Sequence, residues 1–161
     1  MPDSAPLNPA SSPQKPDFDI GTMSILVVDD NEQNLELLEA YLEELGCRIR
    51  TAKDGIQTLE SVEAEQPDMI LLDVMMPRMS GFQACSKIKS SSKTRDIPIL
   101  MITALNEVGD VEKAVESGAD DFLTKPVNKL ELLTRVRSLM RVRALKKQLD
   151  KTLDQVRRTE S

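Results

Sequence analysis

Ile25-Leu26-Val27-Val28-Asp29-Asp30-Asn31 decides the reading of this chain: an unbroken apolar, β-prone run ends in two adjacent carboxylates. A strand with no polar face is buried on both sides, as a central strand of a parallel sheet is. Working outward, the same grammar repeats. Leu35, Leu38, Leu42 and Leu45 recur at helical spacing before Gly46, a C-terminal stop. Arg48 to Thr51 alternates like an edge strand, and Ile56, Leu59 and Val62 mark a second helix. Met69-Ile70-Leu71-Leu72 is the next apolar strand, followed by a helix over 81–89. Ile97 to Ile102 is a strand whose Pro98 lies near its start, where proline is tolerated. Val108, Val111, Ala114 and Val115 give a fourth helix closed by Gly118, and a short strand over 121–123 precedes Lys125-Pro126. Five strands alternating with five helices predict an α/β fold, a doubly wound five-stranded parallel sheet in the flavodoxin-like order 2-1-3-4-5.

In such a sheet the site lies beyond the carboxyl ends of the strands. Those ends carry Asp29 and Asp30, then Asp73, then Thr103, then Lys125. Taken singly, each has an ordinary explanation. Asp29 or Asp30 could cap the following helix, Asp73 could be a turn residue, Thr103 a cap and Lys125 a solvated lysine. Together they place three carboxylates, a hydroxyl and an ammonium at one edge. Crowded carboxylates raise one another's pKa, so they call for a cation. Oxygen ligands without His or Cys select a hard ion, and Mg²⁺ suits a few carboxylates, waters and a phosphoryl oxygen. Thr103 and Lys125 would then face the remaining phosphoryl oxygens. This is the equipment of phosphoryl transfer to a carboxylate, with Asp73 on the central third strand as nucleophile.

The runs 25–31, Leu71-Leu72-Asp73-Val74-Met75-Met76-Pro77-Arg78-Met79-Ser80-Gly81, Ile102-Thr103-Ala104 and Leu123-Thr124-Lys125-Pro126 resemble the response-regulator receiver family over about residues 23–141. The resemblance implies Asp73 as phosphoacceptor and Asp29 and Asp30 as acidic Mg²⁺ residues, with the Met75 backbone carbonyl completing the metal ligands. It implies Thr103 and Lys125 as phosphoryl-binding residues and Thr103 and Phe122 as switch residues. The donor would be a phosphohistidine on a sensor histidine kinase or phosphotransfer protein. In this family the Lys125–Pro126 bond is often cis.

Composition agrees and excludes. Hydrophobic residues make up 40% and charged residues 30%, the balance of a globular chain. Aromatics at 2% and a net charge of −6 argue against nucleic-acid binding. With no histidine there is no Ser/His or Cys/His pair and no internal phosphohistidine. Cys47 and Cys85 form no CxxC and read as buried reduced thiols. No apolar run reaches membrane-spanning length and no signal peptide opens the chain, so it is expected to stay in the cytoplasm, away from membranes.

Three segments follow. Residues 1–22, with five of the nine prolines, read as a disordered arm. Residues 23–141 are the receiver. Residues 142–161 continue the last helix, which starts near Asn128 and would span roughly 45 Å. Leu132, Leu133, Val136, Leu139 and Met140 suit packing on the sheet, whereas Val142, Leu145, Leu149, Leu153 and Val156 form a narrow stripe with no core left to cover. Coiled-coil homodimerisation is the direct reading; a frayed tail is the competing one. The chain is either complete or the head of a larger regulator. An aspartyl-phosphate hydrolase is the enzymatic alternative. It lacks support because Met75 stands where a second carboxylate, two residues after Asp73, would serve as general acid. The expectation is therefore a signalling domain, not an enzyme on external substrates.

Overall fold

The computed structural model describes residues 19–104 and 108–160. Its strands are β1 (Ser24–Val28), β2 (Arg48–Ala52), β3 (Met69–Asp73), β4 (Ile99–Thr103) and β5 (Asp121–Thr124). The helices are α1 (Glu32–Leu42), α2 (Gly55–Ala64), α3 (Gly81–Ser90), α4 (Val108–Glu116) and α5 (Lys129–Glu160). The strands pair in parallel in the order β2-β1-β3-β4-β5, as the apolar runs predict.

All residues of β1, β3 and β4 are buried. Because successive side chains point to opposite faces, each strand feeds two cores. Ile25, Val27, Met69, Leu71, Leu100 and Ile102 meet Leu35, Leu38 and Leu42 of α1 and Leu132, Leu133, Val136 and Met140 of α5. Leu26, Val28, Ile70, Leu72, Ile99 and Met101 meet α2, α3 and α4 through Val62, Ala84, Cys85, Ile88 and Ala114. The edge strand β2 is mostly half-buried or exposed.

Local chemistry sets the helix ends. Asn31, not Asp29 or Asp30, caps α1 by accepting from Asn34 N. A 3-10 turn over Glu43–Leu45 prolongs α1, and Gly46 closes it with the left-handed φ of 73°. Ser80 and Gln83 form a reciprocal capping box at the start of α3.

Several expectations need adjusting. Ile56 and Val115 are 44% and 66% exposed. On α2 the inward face is instead Gly55, Thr58 and Val62, one helical stripe that Ile56 lies off. Cys85 is buried but Cys47 only partly. Of the arm expected over 1–22, residues 1–18 lie outside the described residues. Ile20–Thr22 form a 3-10 turn capped by Asp19, with Ile20 packed on the first core. The helix α5 runs unbroken through residue 141, as the sequence suggests, and beyond it Arg143 is buried and Ala144 half-buried. No helix among the described residues is long and apolar enough to cross a membrane.

Leu71 lies at 0% exposure between two helix layers. Leu71→Ala is expected to lower unfolding free energy by roughly 2–5 kcal/mol, and Val115→Ser by no more than about 0.5 kcal/mol. Urea denaturation of the two variants checks both.

Candidate functional site

Register brings the sequence-predicted residues together. In the β1–β3 pair Val28 faces Leu72, so the next residues, Asp29 and Asp73, come level at the strand ends. In the β3–β4 pair Asp73 faces Ile102, which leaves Thr103 one residue further out. In the β4–β5 pair Thr103 faces Thr124, and Lys125 lies one step beyond. A bond from Lys125 N to Thr103 O, 2.7 Å, fixes that last step. The site is thus a staircase across four strand positions, each tread set by backbone pairing.

Carboxylate oxygens of Asp29, Asp30 and Asp73 all lie within 4.8 Å of one another. Asp29 and Asp73 are buried and Asp30 is exposed. Because Asn31 has taken the capping role, neither Asp29 nor Asp30 is consumed by the helix start. Asp29 Oδ1 instead accepts from Asn31 N at 2.9 Å, which orients its carboxylate. Lys125 reaches in from the opposite side, its Nζ 3.2 Å from Asp73 Oδ1 and 3.6 Å from Asp29 Oδ2. The approach to Asp73 is an ion pair off the hydrogen-bonding angle, and Asp73 Oδ1 stays buried with no hydrogen-bond partner.

Burial and, next, the Asp29 charge push the Asp73 carboxyl up to about 6, and Lys125 only partly offsets them. For Lys125, burial works to lower the pKa, but the Asp73 and Asp29 carboxylates outweigh it and the net displacement is upward. With all groups ionised, three carboxylates and one ammonium leave a formal charge of −2. A buried carboxylate oxygen that accepts no hydrogen bond, an all-oxygen donor set and that residual charge fit a hard divalent cation such as Mg²⁺.

The surrounding loop is shaped to this site. Gly81 N donates to Val74 O at 2.9 Å, and a Cβ at Gly81 would collide with the backbone carbonyl of Asp73. Only glycine lets α3 begin this close to the strand end. Met75 follows Asp73 by two residues and is 60% exposed. Thr103 is buried at the end of β4. Phe122 is half-buried on β5 and packs on the second core. The Lys125–Pro126 bond is cis. Sequence reading missed Asn34, whose side-chain amide lies 3.5 Å from Asp29 Oδ1. Its only signal is that it follows Asp30 by one helical turn.

Residues 25–137 match the family model of the response regulator receiver domain. Response regulator PleD of Caulobacter vibrioides is 52% identical over 117 residues, covering 73% of this chain and 26% of that protein. The DNA-binding dual master transcriptional regulator RpaA of Synechocystis is 42% identical, covering 73% of this chain and 48% of that one. The chain therefore spans about a quarter to a half of these relatives. Among solved structures, the receiver domain of the sensor histidine kinase PA1611 from Pseudomonas aeruginosa, with a magnesium ion coordinated in its active-site cleft, superposes with a TM-score of 0.69. It is 34% identical, and the match covers 74% of this chain and 98% of that one. A receiver domain of a signal transduction histidine kinase from Syntrophus aciditrophicus superposes with a TM-score of 0.71 at 34% identity, covering 74% and 90%.

The raised Asp73 pKa has a definite sign. Below about pH 4 the carboxyl is protonated in both folded and unfolded chains. Between about 4 and 6 the unfolded chain ionises first, so stability falls as pH rises through this window and the full penalty applies above about 6. In chelator-treated protein, Asp73→Asn is expected to be more stable than the parent by roughly 1–2 kcal/mol near pH 7. That advantage should vanish near pH 4. Denaturation midpoints at the two pH values check it.

Proposed function

The chain belongs to the response regulator receiver domain family, and from that membership we propose that it is a phosphorylation switch whose acceptor is Asp73. The observation that carries the proposal is the buried Asp73 Oδ1, ion-paired with Lys125 but accepting no hydrogen bond, beside the Asp29–Asp30 pair. The residues of this sequence hold no histidine, so a phosphohistidine donor lies outside them, as on a sensor histidine kinase or phosphotransfer protein.

An Asp73 carboxylate oxygen attacks phosphorus in line with the departing imidazole nitrogen. The O–P bond forms as the N–P bond breaks, giving an acyl phosphate. Lys125 moves from carboxylate to phosphoryl oxygen, and the Thr103 hydroxyl hydrogen-bonds a second one. Asp29, Asp30, Asp73 and the Met75 carbonyl would hold Mg²⁺, which supplies positive charge to the phosphoryl oxygens. Phe122 and Thr103 relay the change to the surface formed by β5 and α5. The only reactions catalysed are the chain's own phosphorylation and dephosphorylation. Incubation with Mg²⁺ and acetyl phosphate should add one phosphoryl mass to the parent and none to Asp73→Asn. Asp29→Ala and Asp30→Ala should each weaken Mg²⁺ binding about tenfold or more in calorimetric titration, since each removes one of few carboxylate ligands.

The end of α5 supports self-association as the output of such a switch. Val142, Leu145, Leu149, Leu153 and Val156 are each 42–57% exposed. They span less than a quarter of the helix circumference, the width of a two-stranded seam. Leu149→Asp sets a charge in the middle of that seam. Sedimentation equilibrium should find the parent dimeric and Leu149→Asp monomeric. A dimer in both would place the interface on the body.

A further inference from the structure

The far end of β3 carries a second buried carboxylate. Asp68, the residue before the strand, is 8% exposed and lies where the sheet begins, opposite the Asp73 edge. Its Oδ2 accepts from Ser24 N at 3.0 Å, and Asp68 N donates back to Ser24 O at 2.9 Å, so the carboxyl also closes the start of the β1–β3 ladder. Its other oxygen faces α5. Lys147 Nζ donates to Asp68 Oδ1 at 2.5 Å, and Arg143 Nε stands 3.7 Å from the same atom. The Arg143 side chain is nearly as buried as that of Asp68, whereas that of Lys147 is half exposed. Arg143 and Lys147 are one helical turn apart, so both present to the body on one line of α5. That line continues the inward face of Val136 and Met140. From Lys147 to Thr159 every residue of α5 is exposed. The pair with Asp68 is thus the last buried contact of the helix with the body among the described residues, and about 20 Å of helix extends past it.

We propose that Asp68 is the anchor that holds the outgoing part of α5 to the receiver body, fixing where and in which direction the helix leaves it. The argument is one of balance. Nothing apolar on α5 beyond Ala144 is buried, so hydrophobic packing cannot hold this turn of the helix. A buried carboxylate with one oxygen committed to Ser24 N requires positive charge on the other. Arg143 and Lys147 supply it from a helix that would otherwise leave the body after Met140. The same geometry turns the Leu145–Leu149–Leu153 stripe outward, well over a quarter-turn from the Arg143–Lys147 line. This anchor involves none of the groups at the Asp73 edge and does not depend on their function.

Amide hydrogen exchange on the full chain, without phosphodonor, tests it. Asp68→Asn keeps an acceptor for Ser24 N but removes the charge. Protection of amides 143–149 should fall about tenfold while β1 and β3 amides keep theirs. Lys147→Met, which leaves Asp68 and the sheet untouched, should reduce the same amides in the same direction, and Lys147→Arg should restore them. Unchanged protection of 143–149 in both loss variants overturns the proposal. Should Asp68→Asn also loosen β1 and β3, Lys147→Met decides alone: helix-limited loss supports the anchor, and no loss overturns it. Failure of Lys147→Arg to restore what Lys147→Met removes also overturns it, because the effect would then not be one of charge.

Discussion

Three carboxylates held within 4.8 Å are a standing source of repulsion, and the rest of the fold is arranged around tolerating it. Asp29, just past β1, and Asp73, the last residue of β3, cannot relax into water, because both are buried and follow strands buried on both faces. Lys125 neutralises one charge and leaves a formal −2. The unrelieved part is visible as an Asp73 carboxyl pushed up to about 6 and as a buried oxygen without a hydrogen bond. A site in this condition is poised for whatever brings positive charge to it. A divalent cation does so, and so does a closer approach of Lys125.

The sheet keeps this arrangement rigid at modest cost. Twelve side chains of β1, β3 and β4 divide between two cores, one roofed by α1 and α5 and the other by α2, α3 and α4. A strand shifted by one residue would exchange its two faces and take Asp73 out of level with Asp29. Packing on both faces therefore specifies register, and register specifies the site. The near collision of Gly81 with the Asp73 carbonyl shows how little slack remains where β3 hands over to α3.

What the sequence makes legible follows from which interactions leave periodic traces. Apolar runs of four or five residues and helical Leu spacing are periodic, so strand order, helix positions and the strand-end residues Asp29, Asp73, Thr103 and Lys125 can be read directly. Capping is only partly legible. Asp29, Asp30 and Asn31 are all good caps in isolation, and only the structure shows that Asn31 takes the role and releases the two carboxylates. Ile56 and Val115 belong to α2 and α4 as their spacing suggests yet lie exposed, because an amphipathic pattern tells which residues are apolar, not how wide the buried stripe is. The Asp68–Lys147 pair bridges 79 positions and involves residue types that are ordinarily solvated, so nothing in the linear pattern announces it.

The two ends of β3 then stand in a mechanical relation. At one end Asp73 pairs with Lys125, which comes from the loop between β5 and α5. At the other, Asp68 pairs with Lys147 on α5 itself. One strand is thus joined at both ends to one βα unit, by a carboxylate and a lysine each time. Lys129 to Lys147 is about 27 Å of helix, and about 20 Å continues past the anchor. Leu132, Leu133, Val136 and Met140 seat the first half of α5 in the core, so the helix past Asp68 takes its direction from the body as a whole. The arm past the anchor is short, so what a partner would sense there is the facing and spacing of the Leu145–Leu149–Leu153 stripe rather than a large swing. The buried charge pair extends that hold by one more turn, because it is directional and acts where α5 offers the body no buried apolar side chain.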